Sequence, residues 1–250
     1  MKRDINLISD GIKIAGQFFL PEIGSPPYPA VILCHGIPSG IVDPTDGGYP
    51  VLAARMVEAG FAAVVFSFRG TGLSEGNFDM PGWNHDLEAV IEYLWELPDI
   101  DDARISLVGF SAGAAVSICV AARDKRISGV VACASPVDFR TISESDKPQQ
   151  SLAYFRKIGI IRDADYPRDV DEWLHGFRKT NALNHVAGIA PRRLLLVHST
   201  GDPVVSVADS RKLYTKAEKP KRLVILKGAE HRLRRSEKAV SLILDWLKEN

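Results

Sequence analysis

A serine lies at the centre of a short glycine-flanked motif. The run Gly109-Phe110-Ser111-Ala112-Gly113 has the pattern G-x-S-x-G and stands between a buried-type apolar run and a segment of small residues with helical spacing. At a strand-to-helix turn of this kind, the serine takes a strained backbone conformation that projects its hydroxyl away from the sheet. Gly109 and Gly113 leave room for that close approach. The motif therefore predicts that Ser111 is a nucleophile.

A serine hydroxyl needs a base, and the sequence offers candidates for that base and for an acid to orient it. Among the six histidines, His231 follows the last predicted strand and precedes the last predicted helix. A loop at this point crosses the carboxyl edge of the sheet. Asp202 lies just past the end of the preceding strand. The order Ser111, Asp202, His231 is the order in which hydrolases with this serine turn carry their triad.

Other residues compete for these roles. Asp138 also follows a predicted strand and is a rival acid, while Gly201-Asp202-Pro203 could be only a turn. Cys34 stands beside His35, which leaves open a cysteine–histidine nucleophile pair. His198 directly precedes the acid loop, and we interpret it as a packing residue.

Attack on a carbonyl also requires hydrogen-bond donors for the oxyanion that forms. The amide of Ala112 lies at a helix N-terminus, where the helix dipole favours negative charge. The second donor is expected from the loop that begins at His35. Pro38 has no N–H, so we assign Ile37, with Gly36 allowing the backbone to approach the substrate. His35 is expected to shape this loop, and the loop Ile41 to Tyr49 is a further candidate border of the site.

Composition describes a neutral globular domain. The 250 residues are 46% hydrophobic and 25% charged, and 31 basic side chains balance 31 acidic ones. A chain of this size buries a large core, and its neutrality argues against a nucleic-acid partner. The sequence offers no signal-peptide pattern, transmembrane run, metal-ligand cluster or phosphate loop, so we expect a cytoplasmic protein without cofactor or metal. Cys34, Cys119 and Cys133 stand in apolar runs and are expected in the core.

The elements that must position these residues alternate along the chain. Two partly alternating segments joined by Ser9-Asp10-Gly11 predict an antiparallel hairpin at a sheet edge. The short apolar runs that follow are typical of strands covered on both faces. These runs span 30–34, 62–66, 105–108, 130–134, 194–198 and 223–226, and helical spacing occurs at 51–59, 85–97, 112–122, 207–217 and 236–248. The pattern predicts an α/β fold with a doubly wound, mostly parallel sheet of about eight strands.

One long segment interrupts the alternation. Residues 136–190 contain no clear buried strand, and helical spacing recurs at about 150–158 and 168–180. A segment of that length between two strands is expected to be a helical cap inserted into a core of residues 1–135 and 191–250. Its aromatic residues could simply hold the cap to the body, although we expect some to line a pocket. They are Phe139, Tyr154, Phe155, Trp173 and Phe177.

With these pieces assembled, the chain resembles the α/β-hydrolase superfamily over nearly its whole length, and in particular its serine esterase and serine peptidase branches. The resemblance rests on HGIPSG at 35–40, FRGTGLSEG at 68–76, GFSAG at 109–113, STGDPVV at 199–205 and GAEH at 228–231. It implies that the Arg69-to-Ser74 loop buttresses the nucleophile turn without a catalytic role. The oxyanion loop lacks the multi-glycine run of the hormone-sensitive lipase branch, and Ser67 stands where many relatives carry an acid.

These residues support a carboxylesterase that cleaves small to medium acyl or aryl esters through an acyl-enzyme. A serine exopeptidase or a thioesterase would use the same triad. A peptidase that anchors a free amino terminus would need carboxylates in the pocket, for which the cap offers Asp163, Asp165, Asp169, Asp171 and Glu172. A catalytically silent ligand-binding protein is the third alternative. The expected partner is a small-molecule substrate, with no nucleic acid or membrane, for a monomer or homodimer.

Overall fold

The computed structural model describes residues 1–40 and 46–249, and within them eight strands form one sheet. The strands are β1 (Lys2–Ser9), β2 (Ile12–Phe19), β3 (Tyr28–Cys34), β4 (Ala62–Phe66), β5 (Ile100–Phe110), β6 (Ile127–Cys133), β7 (Arg193–Ser199) and β8 (Lys221–Leu226). Their order in the sheet is β1-β2-β4-β3-β5-β6-β7-β8. The predicted α/β fold with a mostly parallel sheet is confirmed.

The only antiparallel pairings between described strands are those of β2 with β1 and with β4. The β1–β2 hairpin turns at Asp10 and Gly11, whose φ angles are 51° and 75°. A two-residue turn with positive φ at both positions matches the right-handed twist of the flanking strands, and Asp-Gly is a favoured pair for it. The predicted edge hairpin is confirmed.

Helices cover both faces of the sheet. They are α1 (Gly48–Glu58), α2 (Met80–Trp95), α3 (Ala112–Arg123), α4 (Arg140–Ser143), α5 (Pro148–Lys157), α6 (Val170–Lys179), α7 (Ala182–His185), α8 (Val207–Lys216) and α9 (Glu237–Lys248). Short 3-10 turns occupy Val186–Ile189 and Leu233–Arg235. Helices α1 and α9 pack on one face, and α2, α3 and α8 pack on the other. No helix among the described residues has the length and apolarity needed to cross a bilayer.

Strand β3 illustrates why the central strands are continuously apolar. Val31 and Leu33 face the cluster that contains α1 and α9, whereas Ala30, Ile32 and Cys34 face the cluster that contains α2 and α3. Alternate side chains of a strand point to opposite faces, so all five positions from Ala30 to Cys34 are buried. This arrangement holds the carboxyl ends of the parallel strands in a fixed position.

Helix α2 begins five residues earlier than the apolar spacing predicts. It starts at Met80 instead of His85, because the Asp79 side chain accepts a hydrogen bond of 2.6 Å from Gly82 N and Pro81 lies in the first turn. Aspartate is a good helix cap, and proline is tolerated only in the first turn. The two signals were present in the sequence.

The segment between β6 and β7 carries α4 to α7 and, among its described residues, no strand. The two predicted helices are α5 and α6, whose bounds agree within a few residues. The ring centroids of Trp173 and Phe177 lie 4.8 Å apart, and Trp173 Nε1 donates a hydrogen bond of 3.0 Å to Phe78 O. That the segment between β6 and β7 forms a cap separate from the body stays a prediction.

Candidate active site

Ser111 lies between the end of β5 and the start of α3, in the turn that the motif predicts. Its φ is 55° and its ψ is −125°, which is unusual for a residue with a side chain. Its amide donates a hydrogen bond of 2.8 Å to Cys133 O. A Cβ on Gly109 would lie 2.5 Å from Ala114 Cα, and one on Gly113 would lie 2.3 Å from His35 O. Both glycines are therefore required by close backbone packing.

The loop that follows β3 lies against Ser111. A Cβ at Gly36 would lie 2.8 Å from Ser111 Cβ, so a larger residue would displace the loop or the serine. Within residues 1–40 and 46–249, the amides of Ile37 and Ala112 donate no hydrogen bond. The structure thus leaves both predicted oxyanion donors available at the ends of adjacent strands.

His35 holds this loop through its ring. Its Nε2 accepts a hydrogen bond of 3.1 Å from Phe68 N, so Nδ1 carries the proton and donates to Gly36 O at 2.7 Å. Thr71 Oγ1 also lies 3.1 Å from Nε2, and the ring stands edge-on to Phe68 and Trp83. Burial lowers the pKa of His35 to about 4, despite the hydrogen bond to Gly36. The ring is therefore neutral near pH 7, and its two nitrogens join Gly36 in the loop after β3 to Phe68 in the loop after β4.

The glycine-rich loop after β4 acts through that histidine. Phe68 and Thr71 contact His35, whereas Arg69 turns away and forms a buried ion pair of 2.7 Å with Asp86. A further ion pair of 2.9 Å joins Arg69 to Asp10 in the β1–β2 turn. Through His35, the glycine-rich loop supports residues 35–40, which form the predicted oxyanion loop. The resemblance to α/β-hydrolases implied instead that it supports the turn at Ser111.

Asp202 and His231 are hydrogen-bonded partners. His231 Nδ1 lies 2.7 Å from Asp202 Oδ2, and Asp202 Oδ1 accepts from Val204 N at 2.8 Å and Val205 N at 2.9 Å. Burial by itself raises the pKa of Asp202, but the hydrogen bonds from His231 and the two amides outweigh it and hold the pKa below its ordinary value. Asp202 is therefore a carboxylate that orients the His231 ring.

His198 also contacts the Asp202 carboxylate. Its ring is fully buried, with Nδ1 2.6 Å from Ser210 Oγ and Nε2 3.0 Å from Val205 O. Nε2 also lies 3.3 Å from Asp202 Oδ2. His198 therefore packs in the core, as predicted, and also braces the acid loop. Its polar contacts were missed because the partner Ser210 lies on α8, outside any motif.

Ser111 and His231 line one pocket at the carboxyl ends of the parallel strands. The pocket has a volume of about 600 Å³. Among the described residues, no hydrogen bond joins the Ser111 hydroxyl to His231. In enzymes of this kind that bond often tightens only in the substrate complex. The lining consists of residues 35–40, Asp46, Gly48, Tyr49, Ser67, Thr71, Gly72, Phe110, Ser111, Ile158, His231, Arg232 and Arg234.

One wall of the pocket is charged, which motif analysis missed. Arg234 forms a bidentate ion pair with Asp46 and stacks 5.2 Å above the Tyr49 ring. The hydrogen bond from Arg234 is the main reason that the pKa of Asp46 lies far below its ordinary value. Arg232 Nη2 donates to Ser39 Oγ at 2.8 Å. The only available signal was that both arginines closely follow His231.

Part of the predicted border of the site falls on this wall. Asp46, Gly48 and Tyr49 line the pocket, whereas residues 41–45 of the same predicted loop lie outside the described residues.

The long segment between β6 and β7 supplies one residue to the described lining, Ile158. The expectation that its aromatics line the pocket is therefore wrong. Phe155, Trp173 and Phe177 are buried against one another and against Phe78, so their rings hold the segment to the body. Clustering of these rings removes more apolar surface from water than a half-open pocket would.

The rival candidates lie elsewhere. Asp138 pairs with Arg140 at 2.8 Å and is absent from the lining. Cys34 is fully buried, and burial raises the pKa of its thiol to about 12, so it carries no thiolate near neutral pH. Cys119 and Cys133 are also free and buried, as predicted.

Comparison with known proteins now decides the family. A model of the X-Pro dipeptidyl-peptidase family S15 matches residues 10–173. This chain belongs to that family. The S15 chain also resembles the uncharacterized protein YfhR of Escherichia coli K12, with 27% identity over 224 residues that cover 89% of this chain and 70% of YfhR. The uncharacterized protein PA2218 of Pseudomonas aeruginosa is 26% identical over 273 residues, which cover 88% of this chain and 72% of PA2218.

Solved structures share the fold of this S15 chain. The α/β hydrolase GrgF from Penicillium sp. sh18 aligns with a TM-score of 0.78 and 23% identity, covering 100% of this chain and 98% of its own. The Pyrococcus furiosus esterase Pf2001 aligns with a TM-score of 0.70 and 22% identity, covering 100% and 90%. Family and fold together identify the chain as a hydrolase of the serine-hydrolase branch of the α/β-hydrolase superfamily.

Proposed function

We propose that this protein is a serine carboxylesterase that works through an acyl-enzyme on Ser111. The observation that carries the proposal is that one pocket is lined by a strained serine, an aspartate-bound histidine and the unused amide of Ile37, with the unused amide of Ala112 next to the serine in sequence. A nucleophile, a base, an orienting acid and oxyanion donors are the complete set of parts for acyl transfer.

The reaction follows from this arrangement. Ser111 Oγ attacks the ester carbonyl while His231 Nε2 takes the hydroxyl proton, and the Asp202 carboxylate stabilises the imidazolium that results. The oxygen that becomes negative accepts hydrogen bonds from the amides of Ile37 and Ala112. His231 then returns its proton to the departing alkoxide, and an acyl ester remains on Ser111. Water, activated by His231, hydrolyses that ester and restores the hydroxyl.

A serine exopeptidase is the second candidate, because of the S15 membership. The pocket argues against it. None of the five acidic residues that the sequence offered as anchors lies in the described lining. The carboxylate that does lie there, Asp46, is bound by Arg234. A peptide with a free ammonium group would therefore find no uncommitted carboxylate among the described lining residues, and an ester fits better.

Fluorophosphonate labelling followed by intact mass tests the proposal. The wild type should gain one adduct, and Ser111→Ala should gain none and lose kcat by about 10³-fold or more. Ser67→Ala is the matched control, because Ser67 lines the same pocket and has no role in the proposed mechanism. An equal adduct on Ser111→Ala would refute the assignment. Faster turnover of aminoacyl-prolyl anilides than of short-chain aryl esters would favour the peptidase.

A further inference from the structure

The described residues of the charged wall carry an excess of positive charge. Among the described lining residues, Arg232 and Arg234 face one carboxylate, that of Asp46. Arg234 takes up both oxygens of that carboxylate, and Gly48 N adds a hydrogen bond of 2.9 Å to Oδ1. The charges of Arg234 and Asp46 therefore neutralise each other, and the charge of Arg232 is left over.

Arg232 is positioned but not saturated. Its Nη2 donates to Ser39 Oγ at 2.8 Å, and its Nη1 lies 3.7 Å from Asp46 Oδ2, beyond hydrogen-bond distance. In the described part of the chain, its Nε donates to no acceptor. The side chain is about one-third exposed, and it lines the pocket next in sequence to His231. The Ser39 contact restrains the arm while part of the guanidinium stays available.

A guanidinium in this state suits one kind of ligand. Its planar donors match the geometry of a carboxylate, and a hydrogen bond between two charged groups is stronger than one between neutral groups. A pocket of about 600 Å³ has room for a small ester with a second functional group. Because the wall belongs to the pocket that contains Ser111, the bound anion and the attacked carbonyl can belong to one molecule.

We propose that Arg232 is a specificity-determining residue that binds a carboxylate of the substrate, so that the substrates are esters with a free carboxylate, such as half-esters of dicarboxylic acids. This inference rests on the proposed esterase function and adds the substrate class. The same wall disfavours substrates with an ammonium group.

Matched ester pairs test the inference by kcat/KM. The acyl pair is mono-4-nitrophenyl glutarate against 4-nitrophenyl pentanoate, and the leaving-group pair is 4-acetoxybenzoate against its methyl ester. The wild type should prefer the anionic member of at least one pair by roughly tenfold or more, since one charge-assisted hydrogen bond contributes that much. Arg232→Gln should abolish the preference, Arg232→Lys should retain part of it, and added salt should weaken it. Arg222→Gln, on the exposed part of β8, is the matched control.

A binding measurement separates failure of this inference from failure of the proposed function. In Ser111→Ala, calorimetry should find that monomethyl glutarate binds more tightly than dimethyl glutarate, and Arg232→Gln in that background should remove the difference. Hydrolysis of both pairs without an anionic preference, or a preference that survives Arg232→Gln, would overturn the role of Arg232 and leave the esterase in place. Anion binding without hydrolysis of any ester would instead overturn the esterase.

Discussion

The two sides of the pocket are built by different means. On the side of β3 and β5, main chain packs on main chain, and Gly36, Gly109 and Gly113 leave no space for a Cβ. On the side of the charged wall, long side chains hold the geometry, and Arg234 reaches 188 residues along the chain to Asp46. In the proposed function, the main-chain side positions the reacting groups, and the charged wall selects the substrate. A single substitution should therefore act differently on the two sides.

The largest effect is expected where the backbone is tightest. Gly113→Ala would place a Cβ 2.3 Å from His35 O, so the nucleophile turn and the oxyanion loop must separate. A displacement of that size should lower kcat by about 100-fold in a variant that still unfolds cooperatively on heating. Esterase assays together with thermal unfolding measure it.

Gly188→Ala is the control for that variant, because its new Cβ would have no neighbour closer than 3.2 Å and lies outside the pocket lining. Equal activity of Gly113→Ala and wild type would mean that this side is as adaptable as the other.

A pH effect should come from His35, on the same backbone-built side. Its pKa is about 4 in the folded chain, where burial disfavours the charged ring, and about 6.5 in an unfolded chain. Between these values the unfolded chain binds a proton that the folded chain does not. The free energy of unfolding should therefore fall by up to about 3 kcal/mol as pH drops from 6.5 to 4.

Chemical denaturation at several pH values measures this loss. His35→Asn retains a donor for Gly36 O and should flatten the profile in that range. The exposed His175 on α6 provides the control substitution, His175→Asn. An unchanged profile in His35→Asn would assign the acid sensitivity to other groups.

The smallest effect is expected in the segment between β6 and β7. Trp173→Phe keeps an aromatic ring in the cluster but removes the hydrogen bond from Nε1 to Phe78 O. It should lower the free energy of unfolding by about 1 kcal/mol and change kcat/KM less than about twofold. Urea unfolding and ester kinetics together check it. A large rise in KM would instead show that this segment binds substrate.

The difference between the two sides also explains what could be predicted from sequence. Ser111, Gly113 and the hairpin at Asp10 and Gly11 were predictable because local backbone geometry restricts which residues fit there. Apolar spacing places the start of α2 five residues too late, because the Asp79 cap determines where the helix begins and apolar spacing does not include it. Sequence rules of this kind extend over only a few residues. They therefore predict the main-chain side of the pocket, where the geometry is local.

The charged wall had no such signal. Arg232 and Asp46 meet only after β3 and β8 take their places in the sheet, and an arginine on a loop has no characteristic neighbours in sequence. The prediction that aromatic residues of the long segment line the pocket was wrong for a related reason. Periodicity indicates that Trp173 is buried, but it does not indicate which surface Trp173 packs against. Contacts between distant segments need the fold itself.

The three buried thiols have a practical consequence for anyone who handles this enzyme. Burial raises the pKa of Cys34 and Cys119 to about 12, and Cys133 is also fully buried with a raised pKa. Alkylating agents and mild oxidants react with exposed thiolates, so the native protein should tolerate both. Inactivation by such a reagent would report that the chain had opened, which makes thiol labelling a built-in gauge of folding that is independent of Ser111.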